Sequence, residues 1–221
     1  MKRSEINRYQ QNAVSFFQQH SFHLPQWACW SPETWRTRGD ECAEIKQCAM
    51  GWDITDFGSG EFEKIGLLLF TIRNGKLQND VYRKVYAEKI MIVREGQITP
   101  IHFHWHKSED IINRGGGKLR IQLWKSTVDE KLSQDPFTIH ADGIAEDVKA
   151  GHVIMLNPGD SITIEPYTYH MFYAEEGQTL VGEISSVNDD TVDNRFLHPI
   201  GRFPAIEEDE PTLYPLFSEY P

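Results

Sequence analysis

Residues 96–119 read GQITPIHFHWHKSEDIINRGGGKL, which sets His102, His104, His106, Lys107, Glu109 and Asp110 close together ahead of three consecutive glycines. Successive side chains of an extended strand point to opposite faces, so His102, His104 and His106 share one face while Ile101 and Phe103 take the other. Apolar Ile111 and Ile112 resume the run, and a bend near Lys107 and Ser108 brings Glu109 round to the same centre. Imidazole nitrogen and carboxylate oxygen together suit a divalent first-row metal, and a ligand set without cysteine argues against a purely structural zinc site. One more ligand is needed from elsewhere. His170, in SITIEPYTYHMFYAEE (161–176) after a turn at Pro166, is the best candidate.

Outward from this stretch the chain has two textures. From IGLLLFTIRNGKL (65–77) onward, short β-rich runs are divided by Asn74-Gly75, Glu95-Gly96, Asp142-Gly143, Asn157-Pro158-Gly159-Asp160 and Glu176-Gly177. Many short strands at such spacing predict a sandwich or barrel. The glycines at 115–117 lack the Lys-Ser/Thr and helix of a phosphate loop, so a tight β-turn is predicted there. Before the β-rich part, Ile6, Tyr9, Ala13, Phe16 and Phe17 fall on one face of a helix over residues 3 to about 20. Segment 24–60 holds Trp27, Trp30, Trp35 and Trp52, with ECAEIKQC (41–48) as a second short helix. The acidic, proline-containing end IEEDEPTLYPLFSEYP (206–221) is predicted to wrap the surface and not to join a sheet. We therefore expect one domain over 1–221: a helical and Trp-rich extension at 1–60, a barrel at 61–200 and an acidic tail at 201–221.

With 22 basic and 33 acidic residues the formal charge is -11, which disfavours nucleic-acid phosphates and anionic lipid as partners. No apolar run approaches membrane-spanning length, and the basic start has no apolar leader region behind it, so a cytoplasmic protein is expected. Cys29, Cys42 and Cys48 are odd in number and lack CxxC spacing, which points to inert thiols. Exposed strand edges and the aromatic N-terminal segment point to a homodimer.

Gly96, His102, His104, Glu109 and Gly116 stand at the spacings of the first cupin motif, and the stretch resembles that superfamily. The second motif is looser, with Thr168 where glycine is usual in PGDSITIEPYTYH. This resemblance implies an all-β cupin jelly-roll barrel with N-terminal helical decoration and a metal in the barrel mouth. YAEKIMIVREGQITPIHFHWHKSEDIINRGGG (86–117) and LVGEISSVNDDTVDNRFLHP (180–199), with MKRSEIN and the texture of Met50 to Gly58, resemble more closely the D-lyxose isomerase family. That resemblance implies a cupin aldose-ketose isomerase interconverting D-lyxose with D-xylulose and D-mannose with D-fructose. It implies a divalent metal, typically manganese, held by His102, His104, Glu109 and His170.

Aldose-ketose interconversion moves a proton between C2 and C1 through an enediol, so it needs a base, a cation for the developing oxyanion and groups that bind hydroxyls. Glu183, in the apolar run TLVGEISSV, is the favoured base, because a buried acid is costly without a partner or a task. Glu109 is the alternative if it holds the metal loosely. Lys107 and Lys89 are cationic candidates, His106 is a sugar-contacting candidate, and Asp190 and Arg195 are placed on a loop closing the site. A metal-dependent dioxygenase and a non-catalytic sugar-binding cupin remain the rival functions, with the charged groups near the motif weighing against the first. No clustered basic pocket for a phosphate is visible, so a free pentose or hexose is the expected substrate.

Overall fold

The computed structural model describes residues 1–201 and 205–221. Residues 202–204, at the start of the expected tail, lie outside the described residues. Helix α1 (Arg3–Gln19) is followed by short helices α2 (Pro32–Arg36) and α3 (Ala43–Gln47). The strands are β1 (Gly51–Thr55), β2 (Leu67–Arg73), β3 (Tyr86–Val93), β4 (Thr99–Phe103), β5 (Glu109–Lys125), β6 (Phe137–Ala141), β7 (Ile144–Val148), β8 (His152–Leu156), β9 (Ser161–Ile164), β10 (Thr168–Ser186) and β11 (Arg195–Phe196). They form an antiparallel cupin jelly-roll barrel in the order β1-β2-β3-β10-β5-β9-β6-β7. Strand β8 lies beside β5, and β4 joins β10 to β11. The long strands β5 and β10 carry the architecture, since β10 alone pairs with β3, β4 and β5.

Side-chain parity divides β1 to β3 into two apolar faces. Trp52, Ile54, Leu68, Phe70, Ile72, Ile90 and Ile92 face outward and meet Ile6, Tyr9, Ala13, Phe16 and Phe17 of α1. Burial of each such side chain contributes about 1.5–3 kcal/mol, so the helix is held by its apolar stripe. The alternate residues Leu67, Leu69, Met91 and Val93 face inward with Ile111, Phe172 and Val181. The acidic end of the chain lies along α1: the buried Arg3 guanidinium reaches Glu208 at 2.7 Å and Glu219 at 2.5 Å. Ser4 and Asn7 bind Asp209 and Glu210 through their side chains.

The three glycines do not make a turn. They lie inside β5, which continues to Lys125. Gly115 and Gly116 have φ of 148° and 90°, and a Cβ on Gly116 would stand 2.3 Å from the Gln178 carbonyl oxygen. At this point the β5–β10 register shifts, between Glu175 and Thr179 and again between Leu180 and Val181. Only glycine permits that close backbone approach at positive φ, and the kink lets one strand serve both halves of the barrel.

Candidate active site

The inward parity that buries Leu69 and Met91 also places Lys89 and Glu183 inside the barrel, as a direct cross-strand pair of β3 and β10. Thr71 of β2 and Ile111 of β5 continue the same rung. Strand β4 enters beside β10 with His102 opposite His170. Pro100 and Ile101 together oppose only Met171, since Thr99 pairs with Phe172. This is a β-bulge, a position where proline's missing N–H costs nothing. Strand β4 ends at Phe103, and the backbone bends at Trp105 and His106 before Glu109 opens β5.

His102, His104, Lys107, Glu109, His170, Lys89, Glu183 and Asp190 line one cavity, with Asp53, Phe57 and Phe196 among its other walls. His102, His104 and His170 are buried, with one nitrogen of each lying within 4.8 Å of the others. The Nδ1 atoms contact the backbone carbonyls of Pro100 at 2.8 Å, Asp193 at 2.6 Å and Thr168 at 3.0 Å, respectively. A carbonyl only accepts, so each Nδ1 carries the hydrogen, which leaves Nε2 as the nitrogen whose lone pair can take a metal. Burial first, then His170 and His104, push His102 well below the usual imidazole range, which keeps that ring neutral. Glu109 Oε1 stands 3.4 Å from His104 Nε2 and 3.1 Å from His170 Nε2. Glu109 Oε1 and His104 Nε2 are nevertheless buried without a hydrogen-bond partner. Three imidazole lone pairs and a carboxylate oxygen converging with no proton between them fit a divalent cation.

The other oxygen of Glu109 contacts Lys107 Nζ at 2.7 Å, and the same ammonium reaches Glu183 Oε1 at 2.9 Å. Lys89 Nζ approaches Glu183 Oε1 at 3.2 Å and donates to Asn188 Oδ1 at 2.8 Å. Burial alone would raise the Glu109 carboxyl, yet the Lys107 ammonium foremost holds it well below the carboxylate range. Burial likewise works against the Lys107 ammonium, but Glu109, Glu183 and Asp190 raise it above the ordinary lysine value. Both groups are therefore charged, inside a wall where isolated charges are prohibitive.

Two sequence candidates lie elsewhere. The strand that would carry His106 alongside His104 has already ended, and the bend leaves the His106 side chain exposed. Arg195, on β11, is turned toward Glu130, with Nε 2.7 Å from Oε2. That same Glu130 accepts from the Trp105 indole at 2.9 Å. Asp193 has a larger part than the sequence indicated. Its carbonyl fixes His104, and its carboxylate accepts from the backbone N–H groups of His106 at 2.9 Å and Lys107 at 2.8 Å. Thr99, Asn188 and Asn194 also line or support the site without a motif to mark them, and the polar density of NDDTVDNR is the one sequence signal for Asn188, Asp193 and Asn194.

With this geometry in hand, the comparisons with known proteins are specific. A family model described as D-lyxose isomerase matches residues 1–220. A D-lyxose/D-mannose isomerase of Escherichia coli O157:H7 is 48% identical, covering 100% of this chain and 98% of its own. One from Serratia proteamaculans is 46% identical with the same coverage. The ligand-free L-ribose isomerase of Cellulomonas parahominis shares the fold with a TM-score of 0.62 at 16% identity, covering 94% of this chain and 98% of its own. On the whole-chain family match and these two relatives, the chain belongs to the D-lyxose isomerase family.

Proposed function

We propose that this protein is a metal-dependent aldose-ketose isomerase that interconverts D-lyxose with D-xylulose and D-mannose with D-fructose. The observation that carries the reading is the buried Glu183 carboxylate, held between the Lys89 and Lys107 ammoniums in the cavity of the three-histidine cluster. His102, His104, Glu109 and His170 would hold a divalent cation, which would supply Lewis acidity to the developing oxyanion. Glu183 takes the proton from C2 of the aldose and returns it to C1 on the same face, while the O2 hydroxyl proton passes to O1 within the enediolate, so that the C2 carbonyl forms as the C1 carbonyl becomes a hydroxyl. Both lysines contact its Oε1, which leaves Oε2 to carry that proton. Lys107 stays protonated and offers a hydrogen bond to the oxyanion that develops as the proton leaves. Lys89, beside Glu183, and Asp190, 3.8 Å from the Lys89 ammonium, orient the sugar hydroxyls.

A buried, partnered charge set of this kind suits proton transfer better than oxygen chemistry, which calls for a more apolar pocket. The reading extends to manganese as the ion, a cytoplasmic setting that suits three free thiols, and a homodimer that covers exposed strand edges such as β7. Among the described residues no helix is long and apolar enough to cross a membrane. The test is ketose formation from D-lyxose and D-mannose by metal-stripped protein, before and after manganese is added. Ketose only after addition is the expected result. Metal-loaded protein that binds either sugar but forms no ketose sinks the isomerase and favours a non-catalytic sugar binder.

A further inference from the structure

Leaving a buried polar atom without a partner is costly, so such atoms call for an explanation. Thr99 Oγ1, His104 Nε2, Glu109 Oε1 and Asn194 Oδ1 are four such atoms, and all four residues line the one cavity. The cation set accounts for His104 and Glu109. It leaves Thr99 and Asn194.

Both are built into place. Thr99 and His102 are three residues apart, an odd spacing that a regular strand sends to opposite faces. The bulge at Pro100 and Ile101 absorbs one residue, so both side chains line the barrel interior. Thr99 is 3% exposed. The Asn194 amide is oriented by its own contacts: Nδ2 donates to the Asp190 carbonyl and to Asp190 Oδ1, each at 3.2 Å. With the nitrogen engaged, Oδ1 is left as an acceptor only.

We propose that Thr99 Oγ1 and Asn194 Oδ1 each bind one hydroxyl of the sugar on the carbons that do not react, and so determine which sugars are accepted. This rests on the isomerase reading of the cavity. A hydroxyl matches both groups, because it donates to an oxygen acceptor and also exchanges hydrogen bonds with another hydroxyl. Thr99 and Asn194 stand on different elements, β4 and the segment before β11, and fix two points of the substrate relative to the proton-transferring carboxylate. A sugar that lacks one of these hydroxyls leaves a buried protein oxygen unpaired, and that is the basis of discrimination.

The experiment compares manganese-loaded wild type, Thr99→Val, Thr99→Ser and Asn194→Leu on D-mannose and its 3-, 4-, 5- and 6-deoxy analogues, with kcat/KM and calorimetric Kd for each pair. Thr99→Val and Asn194→Leu are expected to lose about tenfold on D-mannose, with Thr99→Ser recovering most of the loss. Each loss should shrink to roughly twofold on the single analogue that lacks the partner hydroxyl. Losses equal across all five sugars, or no loss, overturn the assignment while leaving the isomerase intact. If wild type forms no ketose, the isomerase reading falls, and the same comparison of Kd values decides the hydroxyl assignment. Wild type that neither binds nor converts D-mannose overturns both.

Discussion

Two clusters of buried charge sit in this molecule, and they are finished to different degrees. At the junction of α1 with the chain end, the Arg3 guanidinium is 1% exposed and spends its donors on Glu208 and Glu219, whose carboxylates reach toward solvent. In the barrel, Lys89 and Lys107 contact Glu109 and Glu183, yet lone pairs of the same cluster remain without hydrogen. The first arrangement is complete as it stands and acts as a clasp. On the proposed function, a cation and a sugar complete the second. Partner satisfaction, more than burial or charge, separates a structural ion-pair cluster from a chemical one.

Substitutions in the two clusters should therefore report on different observables. Lys107→Met removes the donor to the developing oxyanion and should lower kcat by about 10²–10³-fold, measured at saturating sugar with metal content checked. A loss confined to KM would break the assignment of Lys107 to the transition state. Asp193→Ala frees the Lys107 backbone and loosens the His104 segment, so manganese affinity should fall about 10–100-fold in a calorimetric titration. Arg3→Met should instead cost about 1–3 kcal/mol in urea unfolding, with kcat of the folded enzyme unchanged. An effect on kcat there would erase the contrast between the clusters.

The smallest effect is in acid. The Arg3 hydrogen bond outweighs the opposing effect of slight burial and holds the Glu208 carboxyl below its ordinary value. Its contribution is present above the unfolded pKa of about 4.3 and is lost as pH falls through the lower folded value. Glu208 is more than half exposed, so that contribution is small. Stability curves of wild type and Arg3→Met should converge slightly below about pH 4. Curves that stay parallel there would remove Glu208 from the clasp.

The local part of the site was legible because its spacing is local. His102, His104 and Glu109 lie within eight residues, and their alternation and motif spacing need no knowledge of the rest of the chain. Glu183 was visible as a charge inside an apolar run, and α1 as a 3.6-residue stripe. The differences from the sequence reading arise where a local rule depends on how far a strand runs and what it pairs with. The three glycines have the composition of a turn, but β10 pairs with β5 there through a register shift and the strand continues. His106 follows the alternation only if the strand continues, and it stops at Phe103. Thr99 has the wrong parity relative to His102 until the bulge is known, and Pro100 was the one sign of it. Asp193 reaches the site from 89 residues away, by backbone as much as by side chain, which no residue pattern encodes.

The most direct test of the central claim is Glu183→Gln, a substitution that keeps shape and hydrogen bonding but cannot take a proton. With manganese affinity and thermal stability measured alongside, ketose formation from D-lyxose and D-mannose is followed at saturating sugar. The account predicts that the variant retains its metal and fold and loses at least about 10²-fold in kcat. A metal-loaded variant that keeps more than about a tenth of wild-type kcat would contradict it and move the proton transfer to another group.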